Sequence, residues 1–477
     1  MNGKTVIGPS FLKVTPPAVT RQMAGALDRL KQRGKQVNHL GAGYPSPRVA
    51  SDYLEGQNHF LRYLKHVADT HKVPVEQIMR SMRGYADTTG ITIKGRPIPR
   101  ENFAKVYGGD FDTGIDTAHV IPTTGSTGAI DLLCTVFASP GEKIAYLSDN
   151  PTYAGFITRA QRDNNATIYS VPMDAEGPIA EDIRSQIRAA RADGHHVAFY
   201  YTMADGHNPG GIAITQSRRE EIYKVAQEED IIIVEDGPYP YISFEDASSR
   251  PKPFFAQDPD KRVIHLFTAS KIWEPGKRVA YMIVPTTLKA PDGREMGINE
   301  LVTTTIASTN LMPDHESLLQ FDAFLHTETG NGFALRSLWE EAEFRAGIYQ
   351  QNRDVLLAGL EHYLGEYPEI FKWTKPGSGF FSVLTLLGGH HRTDGQFVSG
   401  LIEADEVTTI PMFGFYTGIE TMPLRLRDTG HLLGYNELRL AFSYTEEDDD
   451  EGRLSAMQTA TEKLGRAMRR LHGLPMK

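Results

Sequence analysis

The sequence predicts an α/β fold. It comprises a three-layer α/β/α large domain around a mostly parallel sheet and a smaller α+β domain towards the C-terminal end. Three observations predict it. Short apolar, β-branched runs at 144–148, 167–171, 197–201, 231–234 and 263–267 are separated by helix-length segments, the rhythm of parallel strands covered on both faces. Glu235-Asp236 and Lys271 fall at or just past the carboxyl ends of two of these runs, where open α/β sheets bind ligands. The 477 residues exceed what one simple core holds. We therefore expect an N-terminal arm and helix over 1–45 that contributes to the small domain, a large domain over 46–330 and the small domain over 331–477.

Taken in order, residues 1–16 form an extended arm that ends at Pro16-Pro17. The spacing of Val19, Met23, Leu27 and Leu30 is helical. His39-Leu-Gly41-Ala-Gly43-Tyr44-Pro45 is a glycine-rich turn, not a dinucleotide fingerprint, because Ser46 holds the third glycine position. Residues 52–83 read as helical and polar, followed by a loop-rich stretch to about Gly114. Gly125-Ser126-Thr127-Gly128 opens a helix whose free N–H groups and dipole suit an anion, although an ordinary capped helix has the same look. Ser217-Arg-Arg-Glu220 reads as a capping box. A long helix over 335–364 leads to strands at 373–387, 407–411 and 437–443 and a closing helix at 451–471.

Composition narrows the function. The chain has 40% hydrophobic and 23% charged residues, and 50 basic against 60 acidic residues give a net charge of −10. That balance offers nothing to nucleic acid or an anionic membrane. The single cysteine, Cys134, sits in an apolar helical pattern and reads as a buried thiol. The N-terminus lacks a signal-peptide layout and no apolar run approaches a membrane span, so a cytoplasmic location is expected. The adjacent pairs His195-His196 and His390-His391 lack the spacing of helical metal ligands, and no metal site is expected.

The most informative stretch is Thr268-Ala-Ser-Lys271-Ile-Trp-Glu-Pro275-Gly276-Lys-Arg278, set between two strand-like runs. A lysine so close to a sheet is partly desolvated, which lowers its pKa and frees the amine for imine formation. Further stretches fit the same chemistry in order: Asn208-Pro-Gly-Gly211 preceded by His207, Glu235-Asp236-Gly-Pro-Tyr239, and Leu438-Arg439-Leu-Ala-Phe-Ser. Together they resemble the class I/II aminotransferases, fold-type I enzymes dependent on pyridoxal 5'-phosphate, of which the aspartate aminotransferase branch also has the histidine. The resemblance runs from about Leu40 to Ser443. It implies a seven-stranded type of sheet, a Schiff-base lysine at Lys271 that also shuttles the proton, and Asp236 at the pyridine nitrogen. It places Asn208 and Tyr239 at the ring's phenolic oxygen and Tyr153 against the ring face, a position a core tyrosine also suits. It gives the phosphate to Gly125, Ser126, Thr127, Thr268 and Arg278, with Tyr85 reaching it from a second subunit of a homodimer. It assigns the substrate carboxylate to Arg439, as a bidentate fork, and to Gly43.

The activity so implied acts on an amino acid through a Cα carbanion and passes its amino group to a 2-oxo acid. The same residues serve relatives that instead eliminate or replace a β or γ group, cyclise S-adenosylmethionine as aminocyclopropane-carboxylate synthase does, or let oxygen intercept the carbanion. Gly210, Ala280, Trp273-Glu274 and the extended 52–83 region depart from the family pattern. These departures bear on substrate and reaction, not on cofactor. A DNA-binding regulator of the same fold would carry a basic N-terminal extension, which the sequence lacks. Tyr44, Tyr241 and Trp273 are candidates for an aromatic-lined pocket and equally for the core.

Overall fold

The computed structural model describes residues 28, 32–34, 37–46, 53–83, 96–138, 141–163, 165–289, 292–387, 391–417, 433–447 and 449–477. The extended arm over 1–16, the start of the helix expected from Val19, Tyr85 with its motif, and His390 lie outside them.

The strands that organise the chain are β1 (Asn38–His39), β2 (Val120–Thr124), β3 (Ile144–Asn150), β4 (Ala166–Asp174), β5 (Gly177–Pro178), β6 (His196–Thr202), β7 (Ile233–Gly237), β8 (Val263–Thr268) and β9 (Val279–Ile283). One sheet has the order β2-β9-β8-β7-β6-β3-β4-β5. Strands β4, β3, β6, β7 and β8 run parallel, and β9 is antiparallel to both its neighbours. The sheet thus has eight strands, one more than expected; β5 is a two-residue edge pairing with the end of β4.

The three layers follow from the period-2 alternation of the strands. Ile232, Val234, Ile264 and Leu266 enter one core with Ile130 and Leu133 of the helix Gly125–Phe137 and Val302 of the helix Ile298–Thr309. Ile233 and Val263 face the opposite core with Ile187 of Ala180–Ala192 and Ile222 of Gln216–Glu228. Register sets Asp236 opposite Leu266 and Gly237 opposite Phe267. The carboxyl ends of β7 and β8 are therefore level, and the acid and the lysine turn share one edge.

A second, antiparallel sheet joins Phe371–Trp373, Phe381–Leu386, Glu437–Ala441 and Ile410–Pro411. Arg439 lies on an inner strand, opposite Val383 on one side and Ile410 on the other. Leu338–Leu364 and Asp450–Leu471 are the long helices of this part of the chain. β1 pairs in parallel with Val407–Thr408, and the Ala441 N–H donates to the Leu40 carbonyl at 2.7 Å. These bonds hold Gly41 to Gly43 beside Arg439.

Two local expectations are corrected and one is refined. Part of the loop-rich stretch is a helix, Pro97–Asp110. Pro97 and Pro99 read as breakers, yet both lie in the first turn, where a missing N–H costs nothing, and Phe103 and Tyr107 are fully buried. The 52–83 region is two helices, Tyr53–His71 and Val75–Arg83, interrupted where Lys72 takes φ 53° ahead of Pro74. The cap before Gln216–Glu228 is Thr215, whose hydroxyl accepts the Arg218 N–H, and not Ser217.

Candidate active site

Thr268 ends β8 and caps the tight turn Ala269–Lys271 by accepting the Ser270 N–H at 3.3 Å. That turn swings the Lys271 side chain back towards the N-terminal segment, where Nζ donates to the Gly43 carbonyl at 3.3 Å. The ammonium also lies 5.7 Å from the Tyr239 ring and 5.6 Å from the Phe380 ring. Burial, reinforced by the guanidinium groups of Arg439 and Arg278, lowers its pKa to about 8 against the opposing pull of Asp236. A fraction of the amine is therefore unprotonated near neutral pH, the form that attacks a carbonyl.

Asp236 is buried at the end of β7. Oδ2 accepts the Tyr201 hydroxyl at 2.6 Å, whereas Oδ1 is buried with no hydrogen-bond partner. Burial raises its pKa to about 6, with Tyr201, His265 and Lys271 opposing. Tyr201 is itself set by stacking on Phe156 at 4.1 Å.

Opposite the lysine turn, Thr124 precedes Gly125–Phe137 without a side-chain cap, so first-turn N–H groups have no side-chain acceptor there. Gly125 takes φ +70°, and a Cβ there would fall on the Arg278 guanidinium. Its N–H donates to the Arg278 carbonyl at 2.8 Å, holding Arg278 in the left-handed region at φ 55°. Arg278 Nη1 donates to Ser270 Oγ at 3.3 Å. Ser270 and Thr127 line the cavity. Ser126 is half-buried off that lining and offers its backbone N–H, and the Thr268 hydroxyl is turned onto Ser270 Oγ at 3.0 Å. Ser270, next to Lys271 in the chain, is a polar group of the site that the sequence alone does not single out.

Arg439 Nη1 donates to Asn208 Oδ1 at 2.8 Å and Nη2 to the Gly41 carbonyl at 2.9 Å, leaving Nε buried and unpartnered. The guanidinium lies over Phe381 at 4.2 Å and near Phe415 at 5.1 Å. A Cβ on Gly43 would come within 2.7 Å of the Phe381 ring, so only glycine leaves the segment this close to Arg439.

A cavity of about 890 Å³ joins these groups, lined among others by Tyr44, Tyr153, Asn208, Lys271, Arg278 and Arg439. Tyr153 caps the helix Ala154–Ala160. Tyr239 is buried beside Phe380 and Phe381. Of the aromatic candidates only Tyr44 faces the cavity. Trp273 packs on Phe321 and Phe324, and Tyr241 donates to Asp110 at 2.6 Å within the core. Phe415 and Asp149 are further groups that nothing in the sequence marks for this site; Asp149 pairs with His207, the histidine that precedes Asn208.

The family model "Aminotransferase class I and II" matches residues 50–429. The chain belongs to this family. The aminotransferase is 27% identical over 414 residues to aromatic-amino-acid aminotransferase 1 of Thermococcus litoralis, covering 86% of this chain and 85% of the relative. Its fold matches an archaeal alanine:glyoxylate aminotransferase with a TM-score of 0.72 at 22% identity, over 95% of this chain and 96% of that one. It also matches the Pyrococcus horikoshii kynurenine aminotransferase solved with PMP, with a TM-score of 0.69 at 24% identity over 94% and 95% of the two chains. The enzyme is pyridoxal-phosphate-dependent and transfers an amino group between an amino acid and a 2-oxo acid. Elimination, replacement, cyclisation and oxidation are not favoured. Among the described residues, no helix is long and apolar enough to cross a membrane.

The residues present fit that cofactor. A bare buried carboxylate oxygen at Asp236 awaits a donor such as a protonated ring nitrogen, and the uncapped helix start beside Arg278 and Ser270 suits a phosphate. The carboxylate is costly without that partner. A pKa raised from 3.8 to about 6 means the cost is fully present above pH 6 and fades as pH falls through 6 towards 3.8. In the cofactor-free protein at pH 8, Asp236→Asn should therefore raise stability by about 3 kcal/mol, and at pH 4 by almost nothing. Denaturant titration at the two pH values checks this. The loaded variant should be nearly inactive.

Proposed function

We propose that Lys271 binds the cofactor covalently and then carries the proton between the substrate Cα and the cofactor, with the other residues holding both in place. The observation that carries this reading is the convergence of Lys271, Arg278, Asn208 and Arg439 on one cavity, with the Asp236 carboxylate near enough to pull the lysine pKa upwards. When bound, pyridoxal phosphate supplies an electron sink for the carbanion left by the proton. Asp236 would hold a proton on the ring nitrogen, and Asn208 and Tyr239 would hydrogen-bond the ring oxygen. Tyr153 would cover the ring face. The N–H groups of Gly125, Ser126 and Thr127, with Ser270, Thr268 and Arg278, would hold the phosphate. Arg439 and the backbone beside Gly43 hold the α-carboxylate. Freed when the substrate amine takes its place on the cofactor, Lys271, its amine kept partly unprotonated, would take the Cα proton and return it on the cofactor side.

We further propose a cytoplasmic homodimer in which Tyr85 of a second copy completes the phosphate site. Thr127 and Arg278 are exposed on that side of the cavity, which leaves room for a second copy to cover them. We propose domains over 46–330 and 331–477 with 1–45 joined to the latter; the pairing of β1 with Val407–Thr408 supports that joining. Tyr44, 66% exposed and edge-on to Tyr444 at 6.0 Å, stands at the cavity with Tyr153 and Phe415. Together with the aromatic and kynurenine names of two similar proteins, this supports an aromatic amino donor. Burying an aromatic side chain contributes about 1.5–3 kcal/mol. The kcat/KM for phenylalanine or tyrosine should thus exceed that for alanine by about ten- to a hundred-fold with a 2-oxo acid in excess. Equal values would reject the aromatic preference.

A further inference from the structure

Two fully buried titratable groups beneath the cavity have no part in the chemistry above. Asp149 is the penultimate residue of β3, and His207 immediately precedes Asn208 in the loop after β6; neither side chain is exposed at all. Asp149 Oδ1 accepts the Tyr200 hydroxyl, and Oδ2 accepts the Thr202 hydroxyl at 2.8 Å and the Met203 N–H at 3.4 Å. His207 Nδ1 accepts the Gly210 N–H at 3.2 Å. A neutral ring whose Nδ1 accepts carries its proton on Nε2. Nε2 lies 3.5 Å from Asp149 Oδ2 and makes no hydrogen bond, so its N–H dipole answers the carboxylate charge.

The pair bridges two segments that line the site. On the Asp149 side, the same segment carries Asn150, whose Oδ1 accepts the Thr417 N–H at 3.0 Å, and Thr152, whose N–H donates to the Phe415 carbonyl at 2.8 Å. It then presents Tyr153 to the cavity. On the His207 side, Asn208 Oδ1 receives Arg439 Nη1. Phe415 and Asn208 both adjoin the Arg439 guanidinium, and each traces back to one member of the pair.

We propose that His207 and Asp149 are positioning residues: their contact fixes Asn208 and Phe415 around Arg439, and so sets how tightly the substrate carboxylate is held. The inference rests on the reading that Asn208 and Arg439 face the bound cofactor and substrate. Burying the Asp149 charge is not in itself a source of net stability; here the consequence of the contact lies in geometry.

The test compares the cofactor-loaded parent with His207→Leu, which removes the N–H, His207→Gln, which keeps a donor, Asp149→Asn, which keeps the shape, and Asn208→Ala as a reference. Three quantities are read: KM for L-phenylalanine, kcat, and the pH midpoint of the cofactor's visible absorbance without substrate. His207→Leu and Asp149→Asn should raise KM about ten-fold with kcat changed less than about three-fold. They should also move the midpoint in the direction seen for Asn208→Ala, and His207→Gln should recover most of both effects. Parent KM and midpoint in His207→Leu, or in Asp149→Asn should the leucine variant not fold, would overturn the proposal while Asn208→Ala is altered. A parent-like Asn208→Ala would instead overturn the site reading beneath it.

Discussion

Lys271→Ala is expected to lose the visible absorbance of the lysine-linked cofactor and to lower turnover by about four orders of magnitude, the upper range for a positioned proton carrier. Among the described residues no other amine lines the cavity. The other cations lining the cavity are arginines, which stay protonated, and the buried Tyr239 hydroxyl has its pKa raised by burial. The loss should not come from unfolding. Because the Lys271 pKa is lowered from 10.5 to about 8, burying its charge opposes folding fully below pH 8, and the opposition fades as pH rises through 8 towards 10.5. At pH 7 the cofactor-free variant should thus be at least as stable as the parent, which a thermal melt checks. Activity within ten-fold of the parent would remove Lys271 from the chemistry.

Arg439→Leu should raise KM for the amino acid by about a hundred-fold or more, since losing one partner of a buried charge-assisted pair costs about 2–5 kcal/mol. Arg439→Lys should recover only part of this, because an ammonium cannot reproduce two parallel N–H bonds. The decisive comparison is an amine without a carboxylate. Phenethylamine, slow with the parent, should react no more slowly with Arg439→Leu. If both substrates lose equally, Arg439 supports the fold of the cavity and does not grip the carboxylate. Burial already lowers the Arg439 pKa to about 10, a sign of how little water competes for that guanidinium.

What could be read from the sequence was local. Lys271, Asp236, Asn208 and Arg439 announce themselves because each sits in a short stretch whose spacing the backbone turns demand, and the structure brings Lys271, Asn208 and Arg439 to one cavity. The three layers were legible for the same reason, since alternation along a strand fixes its two faces. What could not be read was direction and distance. Thr268 and Ser270 are equivalent as letters, and the tight turn Ala269–Lys271 alone decides which lines the cavity. Phe415 and Phe381 are apolar residues like any other until the turn Met412–Phe415 and the second sheet bring them to Arg439. Asp149 and His207 meet only because β3 and β6 are neighbours in the sheet. The helix Pro97–Asp110 was hidden by its own prolines and glycines; burial of Phe103 and Tyr107 outweighs weak propensity.

The measurement closest to the central claim is a single turnover without acceptor. Cofactor-loaded enzyme is mixed with excess L-phenylalanine and no 2-oxo acid, under air and under nitrogen, and absorbance and product are followed together. The amino-transfer account predicts one equivalent of the 2-oxo acid per site, complete conversion of the cofactor to its amine form, no effect of oxygen, and full reversal on adding a 2-oxo acid. Product accumulating beyond one equivalent, with ammonia released or oxygen consumed, would contradict it.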